Sequence, residues 1–306
     1  MRHDPWVLVL AGGDGTRLQE FTRALTGTAI PKQYCRLLGD RSLLEATIAR
    51  ATAVTRSEHV LVVLNRAHLP LAREQLRTIP AENVLVQPRN CDTGPGIAFS
   101  LAHLARRDPA ARCVVFPSDH WIDCEDVFVD RVRQALAVVC RLRPKIALLG
   151  IEPEHAEPGF GYIEPAGPVR LPGVRDAHRV GAFREKPSVE EATRLAARGG
   201  LWNSFVMAFE LPTMLRHLTR LRPGDLMPMH ALVERPEMAD AVYHHAVQAW
   251  NFSSGFLARV PRHLVVLRAR GTGWSDWGTP EAIARTYARL RRTAPWQTAA
   301  PAAATA

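Results

Sequence analysis

The sequence predicts an α/β fold: a mostly parallel sheet with helices on both faces, followed by an antiparallel extension. Three observations carry this. Short apolar runs alternate with amphipathic stretches through the first half, and such runs are what strands covered on both faces require. From Pro153 the pattern changes to Gly- and Pro-rich turns between shorter strands, the mark of an antiparallel addition. A strand and a helix of ordinary length then close the chain.

In order, buried strands are expected at 6–11, 59–65, 83–87, 113–117 and 145–151, and helices at 43–56, 68–78, 94–107 and 126–141. Each apolar run is too short for a helix and each amphipathic stretch repeats at helical spacing. The extension should hold strands at 161–164, 180–184 and 201–209, then a helix from Leu211, a strand at 263–268 and a helix at 280–292. There is no internal repeat. One domain over 1–293 is expected, with halves of about 1–150 and 151–293, and an Ala-, Thr- and Pro-rich disordered tail at 294–306.

A net charge of +9 could serve nucleic acid, a membrane surface or a small polyanion. No basic run reaches five residues, so neither nucleic acid nor membrane is expected as a partner, and a phosphate-rich small substrate is the economical reading. Only Lys32, Lys145 and Lys186 are lysine among 39 basic residues. A chain this tolerant of arginine keeps lysine where a compact ammonium does what a planar guanidinium cannot. Cys35, Cys91, Cys113, Cys124 and Cys140 are odd in number and never in a C-x-x-C pair, which suits a reducing cytoplasm better than a disulfide framework or a zinc site. The apolar run at 6–11 is too short for a leader or a span.

The chemistry begins at Leu10-Ala11-Gly12-Gly13-Asp14-Gly15-Thr16-Arg17-Leu18, directly after the first strand. Glycines there let the backbone approach a ligand and turn N–H groups toward phosphate oxygens, and Arg17 adds a forked donor. The run is not G-x-x-x-x-G-K-[ST], and Leu18 stands where G-x-G-x-x-G needs its third glycine. Pro31-Lys32-Gln33-Tyr34 follows after a polar loop. Further along come Gln87-Pro88, Thr93-Gly94-Pro95-Gly96-Ile97, Phe116-Pro117-Ser118-Asp119-His120, Gly159-Phe160-Gly161-Tyr162-Ile163-Glu164, Phe183-Arg184-Glu185-Lys186-Pro187, Leu201-Trp202-Asn203-Ser204 and Trp274-Ser275-Asp276-Trp277-Gly278.

In that order these segments resemble the sugar-phosphate nucleotidyltransferases, and the P-K-Q-[FY] form is most similar to the mannose-1-phosphate guanylyltransferases. The resemblance implies a Rossmann-like domain that joins the nucleoside monophosphate part of a triphosphate to a hexose 1-phosphate, with GTP and mannose 1-phosphate favoured. It implies nucleotide contacts from Leu10, Ala11, Gly12, Gly13, Gly15, Thr16, Arg17, Gln87 and Gly94, and sugar-phosphate contacts from Gly161, Tyr162, Glu185, Lys186 and Asn203. Asp119 and Asp276 would hold Mg2+, Arg17 and Lys32 the departing pyrophosphate, and Lys186 the attacking phosphate. No side-chain nucleophile is then needed, because joining two anions asks for charge neutralisation and in-line alignment. His120 and Trp202 read more simply as a supporting partner and a core residue.

Two departures stand out. Asn90-Cys91-Asp92-Thr93 replaces a family R-N-T or N-R-G-T, exchanging a cation for a thiol and an acid, and Asn251-Phe252-Ser253-Ser254 lacks the carboxylate of S-I-D-Y. The chain also leaves no room for the isomerase domain fused to some relatives. Another triphosphate and hexose pair, or a catalytically silent nucleotide-sugar-binding regulator, are the rival readings, and a homo-oligomer is left open.

Overall fold

The structure, a computed structural model, describes residues 4–142, 145–294 and 296. Among the described residues nine strands form one sheet in the order β3-β2-β1-β4-β8-β5-β9-β7-β6. They are β1 (Trp6–Leu10), β2 (Val60–Asn65), β3 (Val84–Gln87), β4 (Arg112–Pro117), β5 (Ile146–Ile151), β6 (Gly161–Leu171), β7 (Val174–Glu185), β8 (Leu201–Glu210) and β9 (Leu264–Arg268). The helices are α1 (Gln19–Thr26), α2 (Leu43–Val54), α3 (Leu69–Ala72), α4 (Thr93–Arg107), α5 (Glu125–Arg141), α6 (Val189–Ala197), α7 (Leu211–Leu221), α8 (Leu226–Glu234), α9 (Ala239–His245), α10 (Phe252–Gly255) and α11 (Pro280–Arg289).

Strands β3, β2, β1 and β4 run parallel. Their side chains divide by parity: Trp6 and Leu8 join one core layer with α4 and α7, while Val7 and Val9 join the opposite layer with α2 and α5. With both faces covered, every position of β1 can be apolar, which explains the unbroken run. A third apolar group sets Leu18, Leu43, Trp277, Ile283 and Tyr287 under α11. No helix among the described residues is long and apolar enough to cross a membrane.

Three expectations are corrected. The helix expected at 68–78 is the single turn of α3 flanked by 3-10 turns; His68, Ala72 and Leu76 are buried at fourfold spacing and produced the helical signal. The strands expected at 161–164 and 180–184 are the first and last parts of a long hairpin, β6 and β7. Pro165 and Pro168 hid its length, yet both sit at register irregularities of a strand at the end of the sheet, where a missing N–H is tolerated. At the chain end, Ala294 is buried and Trp296 packs edge-on against Phe21 and Tyr287, at 4.9 and 5.3 Å between centroids; 297–306 lie outside the described residues.

Strand β8 belongs by sequence to the second half, yet it lies antiparallel between β4 and β5 of the first. It also pairs at its start with β6, Tyr162 opposite Trp202. Leu148 pairs with Met207 but Gly150 with Asn203, so β8 carries extra residues there. Phe205 takes φ 59 in this bulge, and side chains satisfy the backbone: Phe205 N donates to Asn203 Oδ1 at 3.1 Å and Val206 N to Ser204 Oγ at 3.2 Å.

Candidate active site

The carboxyl ends of β1, β2, β3 and β4 open onto a cavity of about 640 Å3, the position where open parallel sheets bind ligands. Its floor is the glycine turn. Gly15 takes φ +61, and a Cβ there would come within 3.2 Å of the Pro31 backbone, so only glycine brings the turn against the Lys32 segment. Buried amides and a phenol hold the turn from below: Tyr34 donates to Ala11 O at 2.7 Å, Gln33 to Gly13 O at 2.7 Å and Asn65 to Gly12 O at 2.5 Å. Gln87 donates to Asn65 Oδ1 at 3.4 Å and accepts from the Tyr243 hydroxyl at 2.9 Å. The carbonyls of the turn are thereby occupied from inside, and Gly12, Gly13, Asp14 and Gly15 line the cavity.

Beside it, Gly15, Thr16, Arg17, Lys32, Asp119 and Gly278 surround a smaller recess of about 180 Å3. Arg17 and Thr16 are exposed there, whereas Lys32 is 5% exposed. The Lys32 ammonium lies 3.2 Å from Asp119 Oδ2 and donates to Trp277 O at 3.2 Å and to Asp276 O. Three N–H donors meet three protein acceptors, so Lys32 joins the Asp119 segment to the Asp276 segment instead of extending a free ammonium into the recess. A two-residue bridge between Trp121 and Ser275 and a 4.8 Å stack of Trp121 on Trp277 reinforce the junction.

Asp119 keeps 40% of its side chain exposed. Burial of the group would raise its pKa, but the nearby Lys32 and then His120, with hydrogen bonds from Lys32 and the backbone, bring it below the ordinary carboxylate value. His120 Nδ1 accepts from the Trp274 indole at 3.2 Å, which leaves Nε2 as the protonated nitrogen facing Asp119 Oδ1 at 3.7 Å. Burial holds this histidine below its usual pKa, against the pull of Asp119. Arg50, 3% exposed, bonds the His120 carbonyl at 3.3 Å and pairs with Glu125 at 3.2 Å. The Asp276 carboxylate accepts from Gly278 N at 3.0 Å. No group of three or more His, Cys, Asp or Glu is set for a metal among the described residues. Two carboxylates are what Mg2+ takes when substrate phosphates and water complete its shell.

On the far side, Gly161 pairs with Glu185 across β6 and β7, leaving no room for a side chain beside the Glu185 carboxylate. Burial raises the Glu185 pKa, partly offset by Lys186 and a hydrogen bond with Ser253, while Asp92 pushes it further up. Lys186 is exposed at φ 47 with its N–H bonded to Phe160 O at 3.1 Å. Asn203 donates to Ser253 Oγ at 3.4 Å. Tyr162 is fully buried with its hydroxyl accepting from Glu157 N at 3.0 Å, and Gly94 is packed under the Trp250 ring, which an added Cβ would strike. Thr93 and Gly96, not Gly94, face the cavity. Phe205, which lines the cavity, and Asn65, which holds its glycine turn, were not singled out in the sequence, though Asn65, a polar end to an apolar strand, carried a local signal; Asp14 stands in the glycine motif and Asn90 and Asp92 in the departure that follows Gln87-Pro88, none of them assigned a contact.

The Nucleotidyl transferase family matches residues 6–292. Mannose-1-phosphate guanylyltransferase 2 of Escherichia coli O157:H7 is 35% identical over 225 residues, 71% of this chain and 45% of the relative. ManC of Salmonella typhimurium, also a mannose-1-phosphate guanylyltransferase, is 36% identical over 72% of this chain and 45% of its own length. The chain thus spans about half the length of these curated relatives. A solved structure described as mannose-1-phosphate geranyltransferase from Thermus thermophilus superposes with a TM-score of 0.80 at 25% identity, covering 93% of this chain and 79% of that one. With a family match across nearly its whole length, the chain belongs to the nucleotidyl transferase family.

Proposed function

We propose that this chain transfers the nucleoside monophosphate part of a triphosphate to a hexose 1-phosphate, with GTP and mannose 1-phosphate giving GDP-mannose and pyrophosphate. The observation that carries this is the junction of Asp119 and Asp276 through Lys32 at the mouth of the glycine-turn cavity. A phosphate oxygen of the sugar attacks the alpha phosphorus, the new P–O bond forms as the bond to pyrophosphate breaks, and no covalent enzyme intermediate is needed. The glycine turn and exposed Arg17 cradle the triphosphate and receive the leaving pyrophosphate. Lys186 meets the sugar phosphate, and Glu185 and Asn203 accept and donate to the sugar ring. Mg2+, held by Asp119 and Asp276, would neutralise phosphate charge as it redistributes. The guanylyltransferase names of the relatives support the choice of GTP and mannose.

Pyrophosphate release from a panel of four triphosphates against several hexose 1-phosphates tests the reading, with the GTP and mannose 1-phosphate pair expected to give the highest kcat/KM. Asp119→Asn and Asp276→Asn should each lower kcat by about 10²–10³ with little change in Tm. Normal turnover of both variants would remove the metal role, and a uridine or thymidine preference would replace the named substrate pair.

A further inference from the structure

The strained N-cap of α4 carries an inference that rests on the reading above, that a hexose 1-phosphate enters this cavity. Asp92 holds φ 65 and ψ −175, a region open essentially to glycine alone. Its capping duty is small: Oδ1 accepts from Thr93 N at 2.6 Å, which asparagine would do as well. Glycine would relieve the strain, so the charged side chain needs another reason to be there.

Its surroundings supply one. Asp92 is exposed in the cavity wall, and its Oδ2 accepts from no described residue. Asn251 reaches Oδ1 at 3.4 Å, and Phe252 N bonds Thr93 Oγ1 at 2.9 Å, so the start of α10 is fixed against the start of α4. One residue on, buried Ser253 accepts from Asn203 at 3.4 Å and lies near enough to Glu185 to lower its pKa. A continuous polar rim results, with neutral Asn251, Ser253 and Asn203 between two carboxylates. Carboxylates only accept, and ring hydroxyls are the donors that a sugar offers. A third carboxylate on this rim would be repelled by both.

We propose that Asp92 is a specificity-determining residue: its carboxylate accepts from a ring hydroxyl of the hexose and, with Glu185, restricts the sugar to a neutral one, rejecting hexuronic acid 1-phosphates. The carboxylate absent from Asn251-Phe252-Ser253-Ser254 is in effect supplied from the neighbouring helix cap.

Asp92→Asn isolates the charge, since asparagine keeps the cap and tolerates positive φ; a thermal melt checks that it folds as the parent does. Calorimetric titration should show mannose 1-phosphate bound about tenfold more weakly by the variant, GTP with Mg2+ bound equally by both proteins, and mannuronate 1-phosphate bound more tightly by the variant than by the parent, with the Glu185 repulsion remaining. Equal affinity for mannose 1-phosphate overturns the assignment, as does a loss confined to GTP, which would make Asp92 a reader of the base. Pyrophosphate release measured in parallel separates this from the catalytic reading. Absent release with a retained difference in sugar affinity defeats the reaction and leaves Asp92 assigned; normal release with no difference does the reverse. A parent protein that binds no hexose 1-phosphate defeats both.

Discussion

Asp92 and Phe205, which line the cavity, and Trp277, at the junction of the Asp119 and Asp276 segments, all have positive φ. Held strain of this kind, on the order of 1–3 kcal/mol for each residue, persists where the surroundings over-determine a geometry that function uses. Lys32 is their counterpart among side chains: its ammonium matches three acceptors that diverge around one point, which a planar guanidinium cannot meet. Lys32→Arg should therefore disturb the spacing of Asp119 and Asp276, lowering kcat by about 10²-fold while KM for the triphosphate changes little; steady-state kinetics with the triphosphate varied gives the split, and a rise in KM alone would return Lys32 to a binding role. The sequence identified the ammonium as special by its rarity, but not what it bonds, because Asp276 and Trp277 lie more than two hundred positions away. Gly94 shows the same limit. Its place at the start of a helix was legible, while Trp250, the ring an added Cβ would strike, is remote in the chain.

Elements were legible where both sheet faces are covered, because continuous apolar runs there have no competing reading, as in β1, β2 and β4. They were obscured where strand pairing overrides local preference: prolines inside β6 and the bulge of β8 leave no period to read. The helices carry a pH response of their own. His217 on α7 is 6% exposed, its ring 4.3 Å from that of His263 and its Nε2 without a partner. Burial, then His263, Arg220 and Arg216, lower its pKa from 6.5 to about 4. The native state thus holds His217 neutral while the unfolded chain takes up a proton below pH 6.5, so its contribution is complete above that pH and is lost as pH falls toward about 4. His217→Phe keeps a ring in place and removes the titration. Urea unfolding at about pH 7 and pH 5 should show the parent losing on the order of 2 kcal/mol more than the variant; parallel losses would show that His217 is protonated in the native state.

At the scale of the molecule, the expected halves share one nine-stranded sheet, a consequence of β8 returning between β4 and β5 that no local pattern announces. The end of the chain takes part as well. Trp296 bridges Phe21 of α1 and Tyr287 of α11 and packs against the apolar group of Leu18, Leu43 and Trp277. Deletion from Ala294 onward should lower unfolding stability by about 1–2 kcal/mol, read as a fall in Tm; an unchanged Tm would make that packing incidental. The bulged strand has a wider meaning. Asn203, bonded to Ser253, and Phe205, in the wall of the large cavity, are two residues apart on β8, which is hydrogen-bonded to β4, β5 and β6 at once. The strand acts as a ruler. On the reading proposed above, the bulge and not a regular strand rise sets the distance between the contacts of the two substrates, and pairing to three neighbouring strands holds that distance fixed.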